Sequence, residues 1–276
     1  MTAGGSSGTA LPKKLGDAGP IFVTDGALSM PSGHARGPWD PQALHGGAPA
    51  ALLAREIERT EPGAEMAVAR ITFDFLAAVP LAALEARAWV ARPGRRMQVV
   101  DAELRAGGKI VLRASAVRLR RAQGTAGATA VTPFLGDGPG ASLPAPFPSD
   151  DAELGFHRTG MELLFANATT YGHGAAQTWF RLARPLVDAE VPTPLQRVVA
   201  AADFGNGVSR VLDFDTHVFV NTDLTVHLDR EAVGEWILLD AATTIGPDGA
   251  GLATSTLFDT GGRIGIAAQS LFVEAR

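Results

Sequence analysis

No cysteine occurs in the chain, which excludes disulfides, thiolate-bound metals and a cysteine nucleophile together. With none to read, cysteine usage leaves the redox compartment open. Long apolar runs are missing too: no stretch approaches the roughly 18 residues of a membrane span. The opening MTAGGSSGTALPKKLGDAGP lacks the apolar core of a signal peptide. The expectation is a cytoplasmic protein with a disordered leader over residues 1–20 and no membrane partner. Charge of one sign is scarce as well. The formal net charge is −5 and the arginines are scattered along strand-like segments, which argues against a nucleic-acid partner. His157 and His173 have no neighbouring His or carboxylate at metal-ligand spacing, so no metal and no cofactor are expected, and both histidines read as surface residues.

What is present is enough apolar material for a large core: 46% hydrophobic and 19% charged residues in 276. The strongest signal is an internal repeat. GGKIVLRASAVRL, from Gly107, and GGRIGIAAQSLFV, from Gly261, are each a glycine turn followed by an alternating strand. ITFDFL, from Ile71, matches LTVHLD, from Leu224, and each precedes another strand, ALEARAWV from Ala83 and EWILLDA from Glu235. One helical candidate leads each set, GGAPAALLAREIER from Gly46 and PLQRVVAAADF from Pro194. Before them lie strands within IFVTDGALSM and AQTWFRLARPL. Each half is thus a strand, a mostly apolar helix and an antiparallel run, an α+β pattern with the helix wrapped by its sheet.

The order predicts an N-terminal domain over 21–120 and a C-terminal domain over 156–276. Residues 121–155 are rich in Gly, Pro and Ala and read as a linker, with Phe134 and Leu135 available to dock on the body.

Asp203 breaks a local rule. Thr193-Pro194 reads as a helix start and Gly205 or Gly207 as the stop, so Asp203 falls in a last turn, where helix carbonyls disfavour a carboxylate. Something should compensate.

GPWDPQALHGGAPAALLAREIE from Gly37, with AADFGNG, NTDLTVHL, GEWILLDA and AAQSLFVEAR, resembles the acyl-CoA thioesterase II (TesB-like) family over about residues 25–275 without the linker. The resemblance implies a tandem double hotdog fold, each half an antiparallel sheet around one central helix. It also implies hydrolysis of acyl-CoA thioesters, as in fatty acid metabolism, by an Asp, a Thr-type group and a Gln acting on a water. Carried over, these fall on Asp203, on Asn221 or its neighbour Thr222, and on Gln269; a one-residue strand slip reverses facing, so the middle member stays open. A half-buried Asp203 would be a stronger base, and Gln269 offers both donor and acceptor. In the other half, Val68, Ala69 and Ser115 occupy the positions of Asn221, Thr222 and Gln269, so polar groups gather only in the second half.

Gly46 and Gly47, at a helix start, suit the thioester carbonyl oxygen, and His45 a CoA contact or a loop cap. Each residue also has a structural alternative: Asp203 bonded to backbone N–H groups of the GNG turn, Gln269 at a strand bend, residues 221–223 as turn chemistry, and the glycines as close packing. Trp39, Trp89, Trp179 and Trp236 read as packing, Asp213–His217 as the start of a strand, and Arg118–Arg121 as a solvated edge. By analogy the chain is expected to form a homodimer. Two other functions stay open: a non-catalytic acyl-CoA-binding or assembly protein, favoured by Asn221 at the Thr position, and a hydratase or dehydratase, which requires His45 and Asp203 to face one cavity.

Overall fold

A computed structural model describes residues 19–61, 65–122, 127–145, 154–167 and 174–276. The leader predicted over 1–20 therefore lies outside them except for its last two residues, as does His173.

The first half begins with β1 (Phe22–Asp25) and β2 (Leu28–Pro31). They form an antiparallel hairpin, which corrects the single strand expected within IFVTDGALSM: Gly26 and Ala27 make the turn, with Gly26 at φ 61°. A loop leads to α1 (Gly47–Arg59), whose Ala- and Leu-rich sequence is buried from Gly47 to Arg55 and again at Ile57. Then follow β3 (Met66–Phe75), β4 (Leu84–Arg92), β5 (Met97–Ala106) and β6 (Lys109–Arg120). Gly107 and Gly108, at φ 54° and 79°, close the β5–β6 turn, a conformation that a Cβ would penalise.

Short strand β7 (Leu143–Pro144), a π-helical turn at 156–160, β8 (Met161–Phe165) and β9 (Ala176–Leu182) open the second half. Helix α2 (Pro194–Ala202) has Pro194 in its first turn and is capped by Thr193, whose hydroxyl oxygen accepts from Gln196 N–H at 3.2 Å. A further turn, α3 (Gly205–Val208), continues past the expected glycine stop. β10 (His217–Asn221), β11 (Asp223–Leu228), β12 (Ile237–Ile245), β13 (Ala250–Asp259) and β14 (Gly262–Ala275) complete the chain. Residues Asp213–Thr216 form a turn entering β10.

All fourteen strands belong to one sheet, in the order β1-β2-β4-β5-β6-β3-β11-β14-β13-β12-β9-β8-β7, with β10 beside β14. The halves meet where β3 pairs antiparallel with β11, and Thr72 opposes Thr225. The repeat maps Thr72 onto Thr225 and Ile71 onto Leu224, so this ladder maps onto itself and the halves are related by an approximate two-fold axis at that pair. The same irregularity recurs on both sides: β3 bulges at Ala69 against β6, and β10 gives way to β11 at Thr222. Helix α1 packs on β4, β5 and β6, α2 packs on β9, β11 and β12, and the helices pack on each other. One apolar core runs through both halves and includes Leu52, Leu53, Phe73, Phe180 and Val198.

The Gly/Pro-rich segment is held at several points. Phe134 packs on Trp179 and Phe258, with ring centroids 5.8 and 5.5 Å away, and Thr132 O accepts from Arg263 N–H. Leu135, expected to dock, is 92% exposed. His157 is half-buried beside Arg158, not a surface residue.

The helix pair has two ends. At one, the start of α1 meets Asp203. At the other, the Glu58 carboxylate of α1 accepts from Thr193 Oγ1 at 2.7 Å and Gln196 Nε2 at 3.0 Å, at the start of α2. Polar groups are thus not confined to the second half. Val68 does replace Asn221, but the ladder register corrects the other match: Thr72 opposes Ser115 as Thr225 opposes Ala268, so Ala116, not Ser115, stands where the second half has Gln269, and Glu58 supplies a carboxylate at the two-fold-related end. Burial raises the Glu58 pKa, and Glu231 adds to the effect, against opposing contributions from Thr193, Gln196 and Arg118. A carboxyl with a raised folded-state pKa stabilises the fold while protonated, and that contribution is lost as pH rises through the folded pKa. Glu58→Gln keeps an acceptor for both bonds without the charge. Its melting temperature should exceed that of the wild type at pH 7, and the gap should close on acidification through the carboxylate range; a pH-independent gap would contradict this origin.

Candidate active site

Asp203 is the C-cap of α2 and is 3% exposed. A buried carboxylate at the negative end of a helix needs donors, and three side chains from three separate segments supply them. Asn221, the last residue of β10, donates Nδ2–H to Asp203 Oδ1 at 2.9 Å. Gln269, on β14 and 2% exposed, donates Nε2–H to the Asp203 carbonyl at 3.1 Å and lies 3.4 Å from Oδ1. His45 Nδ1 lies 2.9 Å from Oδ2. This is the compensation that the sequence required, and it comes from side chains in place of the backbone N–H groups of the GNG turn.

Local structure fixes each donor. Gln269 is orientated by accepting Asn206 N–H at Oε1, 3.0 Å away. Asn221 faces the carboxylate because the strand breaks at the next residue: Thr222 N–H turns to Ser270 O, Phe75 N–H donates to Thr222 O, and Asp223 Oδ1 accepts Ser270 N–H. The Thr222 hydroxyl is directed away, to Ser270 O at 3.3 Å, and the residue is exposed. His45 is held by its own backbone, with N–H donating to Ala35 O, and its ring stacks on Phe204 at 4.2 Å and 28°.

The glycines follow from this packing. A Cβ on Gly46 would lie 2.9 and 3.0 Å from the two Asp203 carboxylate oxygens, and one on Gly47 would lie 2.7 Å from Ala200 O. The start of α1 therefore abuts the end of α2 through bare backbone. Gly47 N–H is not free for a substrate oxygen, since it points at His45 Nδ1 at 3.2 Å. That bond needs a lone pair on Nδ1, whereas a bond from Nδ1 to the Asp203 carboxylate needs a proton there. The two contacts at Nδ1 are therefore alternatives: a donor to Asp203 leaves Gly47 N–H free, and a lone pair engages it.

A cavity of about 330 Å³ opens onto Asp203, His45, Gly46 and Asn221. Its wall is aromatic: Trp39 meets Phe214 at 4.8 Å and Phe219 edge-on at 5.0 Å, and Phe75 lies across from them. Sequence reasoning missed this wall. Trp39 read as packing and Phe214 as part of a strand start, and only the GPW turn beside the HGG segment hinted at a cleft. Among the described residues no group of three or more His, Asp or Glu could hold a metal, and no helix is long and apolar enough to cross a membrane.

Comparison with known proteins agrees with this layout. Residues 35–119 match the acyl-CoA thioesterase N-terminal domain and residues 139–273 its C-terminal domain. The chain belongs to this acyl-CoA thioesterase family. No curated protein matches it. Among solved structures, a Novosphingobium aromaticivorans protein provisionally described as a thioesterase is 20% identical, with TM-score 0.71 over 92% of this chain and 99% of that one. A hot dog fold protein from Alicyclobacillus acidocaldarius is 16% identical, with TM-score 0.71 over 92% and 96%. The acyl-CoA thioesterase II TesB2 of Mycobacterium marinum is 17% identical, with TM-score 0.61 over 85% and 90%. At these identities the likeness establishes a shared hotdog-type fold.

The two glycines should respond differently to substitution. Gly47→Ala drives a Cβ into backbone and should cost about 1–3 kcal/mol in urea unfolding. Gly46→Ala meets the end of a side chain that can yield, so it should cost less stability while displacing the Asp203 carboxylate. Equal losses in both variants would contradict the packing described.

Proposed function

We propose that the protein is an acyl-CoA thioesterase built as a tandem double hotdog, with domains over 21–120 and 156–276 joined by the segment between them. The observation that carries the reading is the buried Asp203 carboxylate, held by Asn221, Gln269 and His45 at the edge of an apolar cavity in a chain of this family. Acyl-CoA is the substrate, the acyl group lies against the aromatic wall, and the expected setting is a cytoplasmic homodimer active in fatty acid metabolism.

In this reading Asp203 takes a proton from a water as the water oxygen attacks the thioester carbonyl carbon. The carbon–sulfur bond then breaks, the proton passes to the departing CoA sulfur, and free acid remains. Asn221 serves where the family pattern has a Thr-type group. Both its contacts to Asp203 Oδ1 and Asp223 O use the amide N–H groups, which leaves its side-chain oxygen to accept from the water. Gln269 fixes the carboxylate, and His45 Nδ1, 2.9 Å from Oδ2, holds its other oxygen. Gly46 N–H is the oxyanion donor, joined by Gly47 N–H when Nδ1 is protonated.

One observation favours a second reading, a hydratase or dehydratase: His45 and Asp203 face one cavity and lie 2.9 Å apart. That chemistry uses the two groups on adjacent substrate carbons, whereas here they engage each other.

Asp203→Asn should lower acyl-CoA hydrolysis, followed by CoA release, by at least about 100-fold with the fold intact, the usual size of a general-base contribution. Thr222→Ala should stay within about 2-fold, and Asn221→Ala should fall between the two. A Thr222→Ala loss larger than that of Asn221→Ala would overturn the assignment of the water-holding side chain. Formation of 3-hydroxyacyl-CoA from 2-enoyl-CoA, without CoA release from any acyl-CoA, would replace the thioesterase reading with the second one.

A further inference from the structure

The two-fold relation between the halves has a second product. A cavity of about 940 Å³ lies at the opposite end of the helix pair, bounded by the start of α2 at Pro194 and Leu195, by Val68 and Ala69 of β3, and by residues 228–232. The active-site cavity is bounded by the matching pieces: the start of α1, Asn221 and Thr222, and residues 75–79. Helix α1 has 13 residues, so the two cavities are about 20 Å apart.

The second cavity keeps the shape of a site and lacks its chemistry. By strand register Val68 stands for Asn221 and Ala116 for Gln269, so no amide fixes a water there. Its walls are apolar at Met66, Ala67, Val68, Leu119, Leu195 and Val198. Around them stand four arginines. Arg118 is 4% exposed and donates to the carbonyls of Ile57 and Thr60 in the last turn of α1. Arg230 is paired with Asp259 at 2.6 Å, and Arg121 with Glu231 at 2.9 Å across exposed surface. Arg120 is exposed and has no acidic partner among the described residues. The acidic groups are largely spoken for: Asp229 is paired with Arg263, and Glu58 is bonded to Thr193 and Gln196. A surface pair such as Arg121–Glu231 is worth at most about 1 kcal/mol, so an incoming anion can displace it.

We propose that this cavity is a non-hydrolytic binding site for an anionic amphiphile, with the acyl or alkyl chain along Val68, Leu195 and Val198 and the anionic head at Arg120 and Arg121. Such a head is a carboxylate, as on a free fatty acid, or a phosphate, as on a CoA conjugate. The proposal does not depend on hydrolysis at Asp203.

The absence of cysteine makes the test direct, because one introduced thiol is the only one. Met66→Cys, at the cavity wall, carries an environment-sensitive thiol dye, and Leu119→Cys on the facing strand serves as an independent label. Each is titrated with laurate and with S-dodecyl-CoA, a thioether that cannot be hydrolysed. A saturable response at both labels is expected with at least one probe: laurate identifies a carboxylate head, and a response to the thioether alone identifies a phosphate-bearing one. Arg120→Glu combined with Arg121→Glu should weaken that binding by at least about tenfold and leave CoA release from acyl-CoA unchanged. No saturable response to either probe, or one that survives the charge reversal, overturns the proposal. An inactive protein that still binds at Met66→Cys would overturn only the thioesterase reading.

Discussion

A carboxylate buried at the wrong end of a helix is the constraint on which the rest depends. Asp203 meets the negative end of α2, out of contact with bulk water, a position that costs stability unless donors surround it. The donors come from α1's leading loop, β10 and β14. These segments must therefore assemble before the carboxylate is satisfied, and the bare backbone of Gly46 and Gly47 lets the two helices approach closely enough for His45 to reach it. Local instability at the helix end is exchanged for a fixed, preorganised acceptor, as is common where function overrides local preference.

The approximate two-fold relation makes the specialisation visible. Both ends of the helix pair hold a carboxylate against the start of the opposite helix, Asp203 at one and Glu58 at the other. They differ in what surrounds them. Asp203 has amides and an imidazole within reach and an aromatic cleft in front, whereas Glu58 has a threonine, a glutamine and a rim of arginines. One scaffold thus carries two chemically distinct cavities, because a strand break placed at Thr222 or Ala69 presents Asn221 in one half and Val68 in the other.

Much of the fold was legible because it is written in short-range patterns. The GG turns, the alternating strands and the Thr-Pro helix start are local signals, and their repetition in one order implied two like halves. Asp203 could be singled out as a violation of helix chemistry without knowing its partners. The partners themselves could not be read, since His45 and Asp203 belong to different halves and meet only through packing of α1 on α2. The choice between Asn221 and Thr222 turned on a strand break with no sequence marker. The aromatic wall escaped for the same reason: Trp39 and Phe219 are brought together by the loop before α1 and the pairing of β10 with β14. Glu58 carries no marker in the sequence, since its partners Thr193 and Gln196 lie in the other half and reach it only through helix packing.

If Asp203 acts as a base toward water, the oxygen added to the product comes from solvent and never from the protein. The most direct measurement is a single turnover of acyl-CoA in ¹⁸O-water with enzyme in excess, followed by mass spectrometry of the released acid and of the peptide that contains Asp203. With Asp203 as a base, ¹⁸O enters the acid and none enters the peptide. Label in Asp203, with unlabelled oxygen transferred to the acid, would mean that the carboxylate attacks the thioester itself, and would contradict that role.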